Sequence, residues 1–252
     1  MAYVMLGRCE NLKDIFIAGD FRKEGIHVDD DALEESKALE KDFQERQLSL
    51  PSNLFKVSFL NVRSLRAHIQ DVKLDPSIVG SDIFGLAETW LYPNEALFID
   101  GFKGHFVSLG KGKGIASFSK TGLDIKQVSC IAEKFSAICV RGHLLDVIFV
   151  YLSQDFDKDH LFTLLDDWIL ETKETALLGD VNWNYLEDEH DMKEFMAKKG
   201  FAQLIENPTH EKGSLIDHIY VNKKLNSKGC FAQQESVHFT DHDLISLYVN
   251  KH

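Results

Sequence analysis

The sequence predicts an α/β (α+β) protein: a four-layer α/β-sandwich of two packed, mainly antiparallel sheets flanked by helices. Three observations predict it. From residue 54 onward the chain offers eleven short strand-like runs separated by turn residues. Three of them, at 83–87, 146–150 and 175–179, are almost continuously apolar, as expected of strands covered on both faces. Between strands the apolar spacing twice switches to i, i+3, i+4, the period of a helix with one buried face.

Residues 1–28 read as two short strands with turns at Gly7 and Gly19-Asp20. Residues 29–47 read as a charged helix. Asp29, Asp30 and Asp31 suit a helix N-terminus, and Ala32, Leu39 and Phe43 make a thin apolar stripe. Leu50-Pro51-Ser52-Asn53 breaks the pattern, so a boundary is expected between an N-terminal extension, 1–50, and a main domain, 54–250. Strands are expected at 55–61, 83–88, 102–107, 114–119, 123–131, 134–141, 144–151, 175–180, 215–221, 229–237 and 244–249. Arg141-Gly142-His143 would turn the chain between two of them. Helices are expected at 64–74, at 157–171 on Leu161, Leu164, Leu165 and Trp168, and at 188–199 on Met192, Phe195 and Met196. Gly200 is placed to stop the last of these.

Hydrophobic content is ordinary for a globular protein, and no apolar run reaches the roughly 20 residues that span a bilayer. The first eight residues lack the basic start and long apolar core of a secretion signal, so an intracellular setting is expected. Cys9, Cys130, Cys139 and Cys230 include no CxxC spacing, and reduced thiols are expected rather than a zinc site. The net charge of −12 argues against nucleic acid at first, but it is unevenly spread. Residues 101–128 hold five lysines and one acid, whereas 155–195 hold thirteen acids and three lysines. Clustered acids also suit a bound cation, which inverts the local field.

Several apolar runs end on a polar residue: Asn61 after 55–60, Glu88 after 83–87, Tyr151 after 147–150, and Asp180 and Asn182 after 176–179. Asp241-His242 stands at the foot of the last run. Singly these are bland. Asp180-Val181-Asn182 reads as a turn, Tyr151 as a half-buried strand aromatic and Asn61 as a turn or helix cap. His218 reads as structural, because neighbours on a strand face opposite sides. Trp90 and Trp183 read as core packing. Lys111-Gly112-Lys113-Gly114 is either a solvated turn or a phosphate-meeting loop; it lacks the Gly-Lys-Ser/Thr ending of a P-loop.

As an ordered set, Asn61-Val62-Arg63-Ser64-Leu65, Glu88-Thr89-Trp90-Leu91, Tyr151, Asp180-Val181-Asn182, Asp217-His218-Ile219 and Thr240-Asp241-His242 resemble the endonuclease/exonuclease/phosphatase superfamily across 54–250. The wording is most similar to the AP-endonuclease-like nucleases of non-LTR retrotransposons and Helitrons. The resemblance implies a DNase I-like fold, Mg²⁺ with Mn²⁺ as a substitute, and nicking of DNA to leave 3′-OH and 5′-phosphate ends. It implies Glu88, Asn61 and Asp241 around the metal, where hard carboxylate oxygens suit a hard cation. Asp180 and Asn182 would position water or protonate the leaving oxygen, and Tyr151 would bond the phosphate. His242, oriented by Asp217, would act as a base or a phosphate contact. Lys111, Lys113 and Arg63 would meet substrate phosphates.

The pattern departs in places. Val181 stands where Phe is usual, Leu152-Ser153-Gln154 where Arg and prolines often follow the Tyr, and Arg63 where some relatives carry an acid. Ala2-Tyr3-Val4-Met5-Leu6-Gly7-Arg8-Cys9 and Leu12-Lys13-Asp14-Ile15-Phe16-Ile17, with the Leu33–Lys41 helix, resemble the C-terminal end of a superfamily 1 DNA helicase across residues 1–46, and such a tail fused to this nuclease type is the layout of some Helitron transposons. That implies partners among transposon-encoded domains and a nuclear location; no P-loop precedes the segment, so no ATPase is expected of it. Two other readings stand beside the nuclease: a phosphatase of the same superfamily acting on inositol-phosphate or sphingomyelin headgroups, and a catalytically silent nucleic-acid-binding remnant.

Overall fold

The computed structural model describes residues 53–132, 135–153, 157–187 and 191–251. In chain order the elements are β1 (Leu54–Asn61), α1 (Leu65–Leu74), α2 (Pro76–Val79), β2 (Ile83–Ala87), β3 (Phe102–Val107), β4 (Ile115–Lys120), β5 (Ile125–Ala132), β6 (Phe135–Gly142), β7 (Asp146–Leu152), α3 (Lys158–Trp168), β8 (Thr175–Asp180), α4 (Asp191–Lys198), β9 (Phe201–Gln203), β10 (Asp217–Asn222), α5 (Lys223–Ser227), β11 (Cys230–Ser236) and β12 (Asp243–Asn250). They form two six-stranded sheets, ordered β11-β12-β1-β2-β4-β3 and β5-β6-β7-β8-β10-β9.

Parallel neighbours need a crossover, and the sequence supplies two. α1 and α2 carry the chain from β1 to the parallel β2, and α3 carries it from β7 to the parallel β8. Each parallel pair is flanked by antiparallel strands: β12 and β4 in one sheet, β6 and β10 in the other. The crossovers start on side-chain caps. Ser64 accepts from Ala67 N, and Asp157 accepts from His160 N, each satisfying an otherwise orphaned N–H.

Strand parity builds the layers. Phe55, Val57 and Phe59 of β1 meet Val147 and Phe149 of β7 and Ala176 and Leu178 of β8 in a core between the sheets. The alternate residues Ile148, Val150, Leu152 and Leu177 face the other way, under Leu161 and Leu165 of α3 and Met192 and Met196 of α4. Leu60, Phe84 and Leu86 do the same beneath Leu65 and Val72 of α1. The sheets meet closely at Gly85, where an added Cβ would lie 2.4 Å from the Phe149 ring. Burying a side chain such as Phe149 contributes about 2–3 kcal/mol.

All eleven expected strands form, with ends shifted by a few residues. β5 begins at Ile125 rather than at 123, and β10 at Asp217 rather than at 215. The three expected helices of the main domain form as α1, α3 and α4, and Gly200 takes the left-handed φ of 74° beyond α4. Missed by the sequence reading are α2, β9 and α5, of four, three and five residues. Such lengths are too short to show a period. The expected strands and helix of residues 1–47 and the N-terminal extension lie outside the described residues.

Candidate active site

The fold places the polar strand ends on one rim. Asn61 ends β1, Glu88 follows β2, Tyr151 lies one residue from the end of β7, and Asp180 ends β8. These are the carboxyl ends of the two parallel pairs, where open α/β sheets place ligands. The antiparallel neighbours β10 and β12 start at the same rim, so Asp217 and Asp241-His242 join from their amino ends. In register, Tyr151 lies beside Asp180 and Asp180 beside Asp217. Asn61, Tyr151, Asp180 and Asp217 share the parity of the core residues Phe59, Phe149, Leu178 and Ile219. Their side chains therefore continue the inter-sheet layer past its apolar end.

Local backbone strain concentrates here. Among the described residues, six non-glycine residues have left-handed φ, and five of them are Arg63, Ser64, Glu88, Trp90 and Asn182. Such conformations cost on the order of 1–3 kcal/mol each and persist where the surroundings impose them. At Glu88 the φ of 49° breaks strand parity, which would otherwise send the side chain with Phe84 and Leu86 toward the helices.

Asn61 joins two carboxylates. Its Nδ2 donates one proton to Glu88 Oε1 at 3.0 Å and the other to Asp180 Oδ2 at 2.8 Å, while its Oδ1 accepts from Arg63 N at 3.1 Å. The Tyr151 hydroxyl lies 3.3 Å from Glu88 Oε1 and 3.1 Å from the Gly112 carbonyl, and shares its single proton between them. Burial, and then the Glu88 and Asp180 charges, push that hydroxyl well above its usual range, so it stays a donor. Trp90 Nε1 donates to Glu88 Oε2 at 3.2 Å. Trp90 thus holds a site carboxylate rather than filling the core as expected, whereas Trp183 packs against the outer apolar layer.

His242 and Asp217 pair as the resemblance implied: Nδ1 lies 2.9 Å from Asp217 Oδ2, and both are buried. Burial alone would lower the imidazole. Asp217, then Asp180 and Asp241, outweigh it and raise it to about 9, so the ring is cationic near neutrality. Thr209 Oγ1 accepts from Asp217 N at 3.0 Å and fixes the strand start. Asp180 is pushed well above the usual carboxylate range by burial and by Asp217. Asn182 supports it: its backbone N donates to Asp180 Oδ1 at 3.1 Å and its Nδ2 to the Leu152 carbonyl at 2.6 Å. His218 faces away, bonded to the Tyr220 hydroxyl and the Leu215 carbonyl, as its parity predicted.

Asp241 sits among bases. Its Oδ2 pairs with Arg63 Nη1 at 2.5 Å and lies 3.5 Å from His210 Nε2. Burial would raise this carboxyl, but Arg63 leads the groups that hold it below its usual range. His210 is a site residue that sequence reading missed. It lies in an irregular loop and reaches the rim through a single β-bridge with His242, the two rings 4.7 Å apart. Lys212 N donates to its Nδ1 at 3.1 Å, so in the neutral ring Nε2 carries the proton toward Asp241. Its sequence signal was only a His five residues before the mostly buried Leu215-Ile216-Asp217-His218 segment.

Lys111 and Lys113 are exposed on a loop whose glycines 110, 112 and 114 all adopt positive φ, which makes the tight path feasible. The loop is tied to the rim. Trp90 N donates to the Lys113 carbonyl at 3.0 Å, and Lys111 Nζ lies 5.9 Å from the Trp90 ring centre.

The donor set fits a hard divalent cation. Among the described residues, Asp217 Oδ1 is buried with no hydrogen-bond partner and Glu88 is bonded only by neutral donors, whereas Asp241 already carries the Arg63 guanidinium. Two clusters, Asp180-Asp217-His242 and His210-Asp241-His242, bring ligand-capable atoms within 4.8 Å of one another.

No family model and no curated protein sequence matches the chain. Solved structures match its shape. A 3′ phosphatase, NExo, from Neisseria bound to a product DNA hairpin has a TM-score of 0.65 at 17% identity, over 78% of this chain and 99% of that one. An AP endonuclease from Archaeoglobus fulgidus has a TM-score of 0.63 at 18% identity, over 77% and 99%. The endonuclease domain of TRAS1, a telomere-specific non-LTR retrotransposon, has a TM-score of 0.56 at 13% identity, over 78% and 98%. At these identities the likeness is one of fold. The chain has the DNase I-like fold of these AP-endonuclease and exonuclease-phosphatase structures, the group its ordered motifs resemble.

Proposed function

We propose that this chain is a Mg²⁺-dependent phosphodiesterase: an endonuclease of mobile-element origin that nicks DNA, leaving 3′-OH and 5′-phosphate ends. The observation that carries the reading is the convergence of Glu88, Asn61, Tyr151, Asp180, Asp217 and His242 on one inter-sheet rim. A phosphodiester resists hydrolysis, so charge stabilisation is the main need.

Glu88 would hold the ion, with Asn61, Tyr151 and Trp90 keeping its carboxylate oriented. When bound, Mg²⁺ or Mn²⁺ withdraws charge from phosphate oxygens. Cationic His242, backed by Asp217, suits a non-bridging phosphate oxygen. Asp180 keeps a proton more readily than a usual carboxylate, which suits protonation of the leaving oxygen; Asn182 holds it in place. Lys111 and Lys113, exposed beside Trp90, and Arg63, half exposed, would meet the phosphate backbone. The neighbour solved with a DNA hairpin and the retrotransposon endonuclease support DNA as substrate. Under the same reading the residues 1–50 belong with a helicase-type partner, and the protein works in the nucleus.

The test is relaxation of supercoiled plasmid in Mg²⁺. The wild-type chain should produce nicked circles whose ends are ligatable, and Glu88→Ala should lose this by about a hundredfold or more. No nicking by the wild type, or equal nicking by both proteins, would sink the reading.

A further inference from the structure

Two carboxylates at this rim stand in opposite electrostatic settings. Glu88 is bonded by Asn61, Tyr151 and Trp90, all neutral, and no basic side chain pairs with it among the described residues. Asp241 is met by three basic side chains: Arg63 at 2.5 Å, His210 at 3.5 Å and His242 at 4.0 Å. Arg63 is also fixed through its main chain. Its N–H donates to Asn61 Oδ1, its φ is 44°, and its guanidinium reaches Asp241 just ahead of β12.

We propose that Arg63 is a fixed cation of this site: it neutralises Asp241, so the protein takes up one divalent ion, at Glu88, and none at Asp241. The inference rests on the metal-dependent reading above. A guanidinium stays protonated at every accessible pH, so it cannot vacate Asp241 by losing a proton, as a histidine could. A second divalent ion at Asp241 would sit a few ångströms from that charge, a repulsion worth orders of magnitude in affinity in a partly buried setting. The guanidinium is half exposed, which leaves it within reach of a phosphate oxygen at the mouth of the site. Arg63 thus supplies one of the two positive charges that a pair of metal ions would otherwise bring.

The test is calorimetric titration with MnCl₂ alone, without nucleic acid, beside thermal unfolding of each variant. The wild type should bind one ion and Glu88→Gln none. Arg63→Asp should bind two, and the second should disappear when Asp241→Asn is added. Arg63→Gln, which introduces no acid, should leave the first ion unchanged and raise affinity for a second by at least about tenfold. It decides the matter alone if Arg63→Asp fails to unfold cooperatively. Two ions on the wild type, a single ion on both Arg63 variants, or a second ion that survives Asp241→Asn overturns the inference. No ion on the wild type overturns the metal-dependent reading itself.

Discussion

His242 Nδ1 meets Asp217 Oδ2 at 2.9 Å in a site where both residues are buried, and the pair sets the charge of the rim. An imidazole raised to about 9 gains stability from its partner that is fully present below its unfolded value of about 6.5. That stability is lost as pH rises through about 9. In EDTA, wild type should therefore unfold above Asp217→Asn by an amount on the order of 1–3 kcal/mol at pH 6, with the gap closing by pH 10. A gap that stays constant across this range would rule out the pairing as its source. Nicking by Asp217→Asn should fall about a hundredfold or more, because the ring loses its fixed orientation.

Asn61 separates two acids with the two protons of one amide group. Asn61→Ala leaves both carboxylates short of a donor and should cost about 1–3 kcal/mol in urea unfolding. Asn61→Asp puts a third acid between them and should cost more, with the loss shrinking as pH falls and the cluster takes up protons. Equal stabilities of the two variants at neutral pH would contradict this.

His210 keeps its Nε2–H toward Asp241 because a backbone N–H occupies Nδ1. The neutral ring is favoured, since burial and then His242 lower its affinity for a proton. A neutral donor of similar reach should then serve. His210→Gln should retain most nicking activity, while His210→Ala should lose about tenfold, the scale of one polar contact to a carboxylate. Equal loss in both variants would point to a role of the ring itself.

Lys111 and Lys113 stand exposed on a loop tied to Trp90. If both meet phosphates, Lys111→Ala with Lys113→Ala should reduce the slope of log affinity against log salt by about 2. Duplex binding measured in Ca²⁺ across a salt series gives that slope. An unchanged slope would return the loop to a plain solvated turn.

Gly85 should tolerate no side chain, because its Cβ position overlaps the Phe149 ring. Gly85→Ala should destabilise by about 1–3 kcal/mol, read as a lower urea midpoint at unchanged slope.

The strands and the rim were legible in the sequence because period-2 patterning and apolar runs are local properties. Asn61, Tyr151 and Asp180 could be found as polar residues at the ends of such runs, and parity then turns them into the inter-sheet layer. The ordered motifs made Asp217 the expected partner of His242, and the two side chains lie 2.9 Å apart. Three short elements escaped, since lengths of three to five residues carry no period.

Other features belong to the tertiary structure alone. Nothing near Arg63 in sequence points to Asp241, which lies 178 positions away, and nothing marks His210 as a neighbour of His242. The bond from the Trp90 indole N–H to Glu88 has no local sequence signal, and Glu88 itself reaches the rim through a left-handed φ that strand patterning does not encode. The sequence determined which residues would end strands on one face, because burial acts residue by residue along the chain. Only the packed sheets decided which charges those residues would share, because electrostatic pairing depends on distance in space and on exclusion of water.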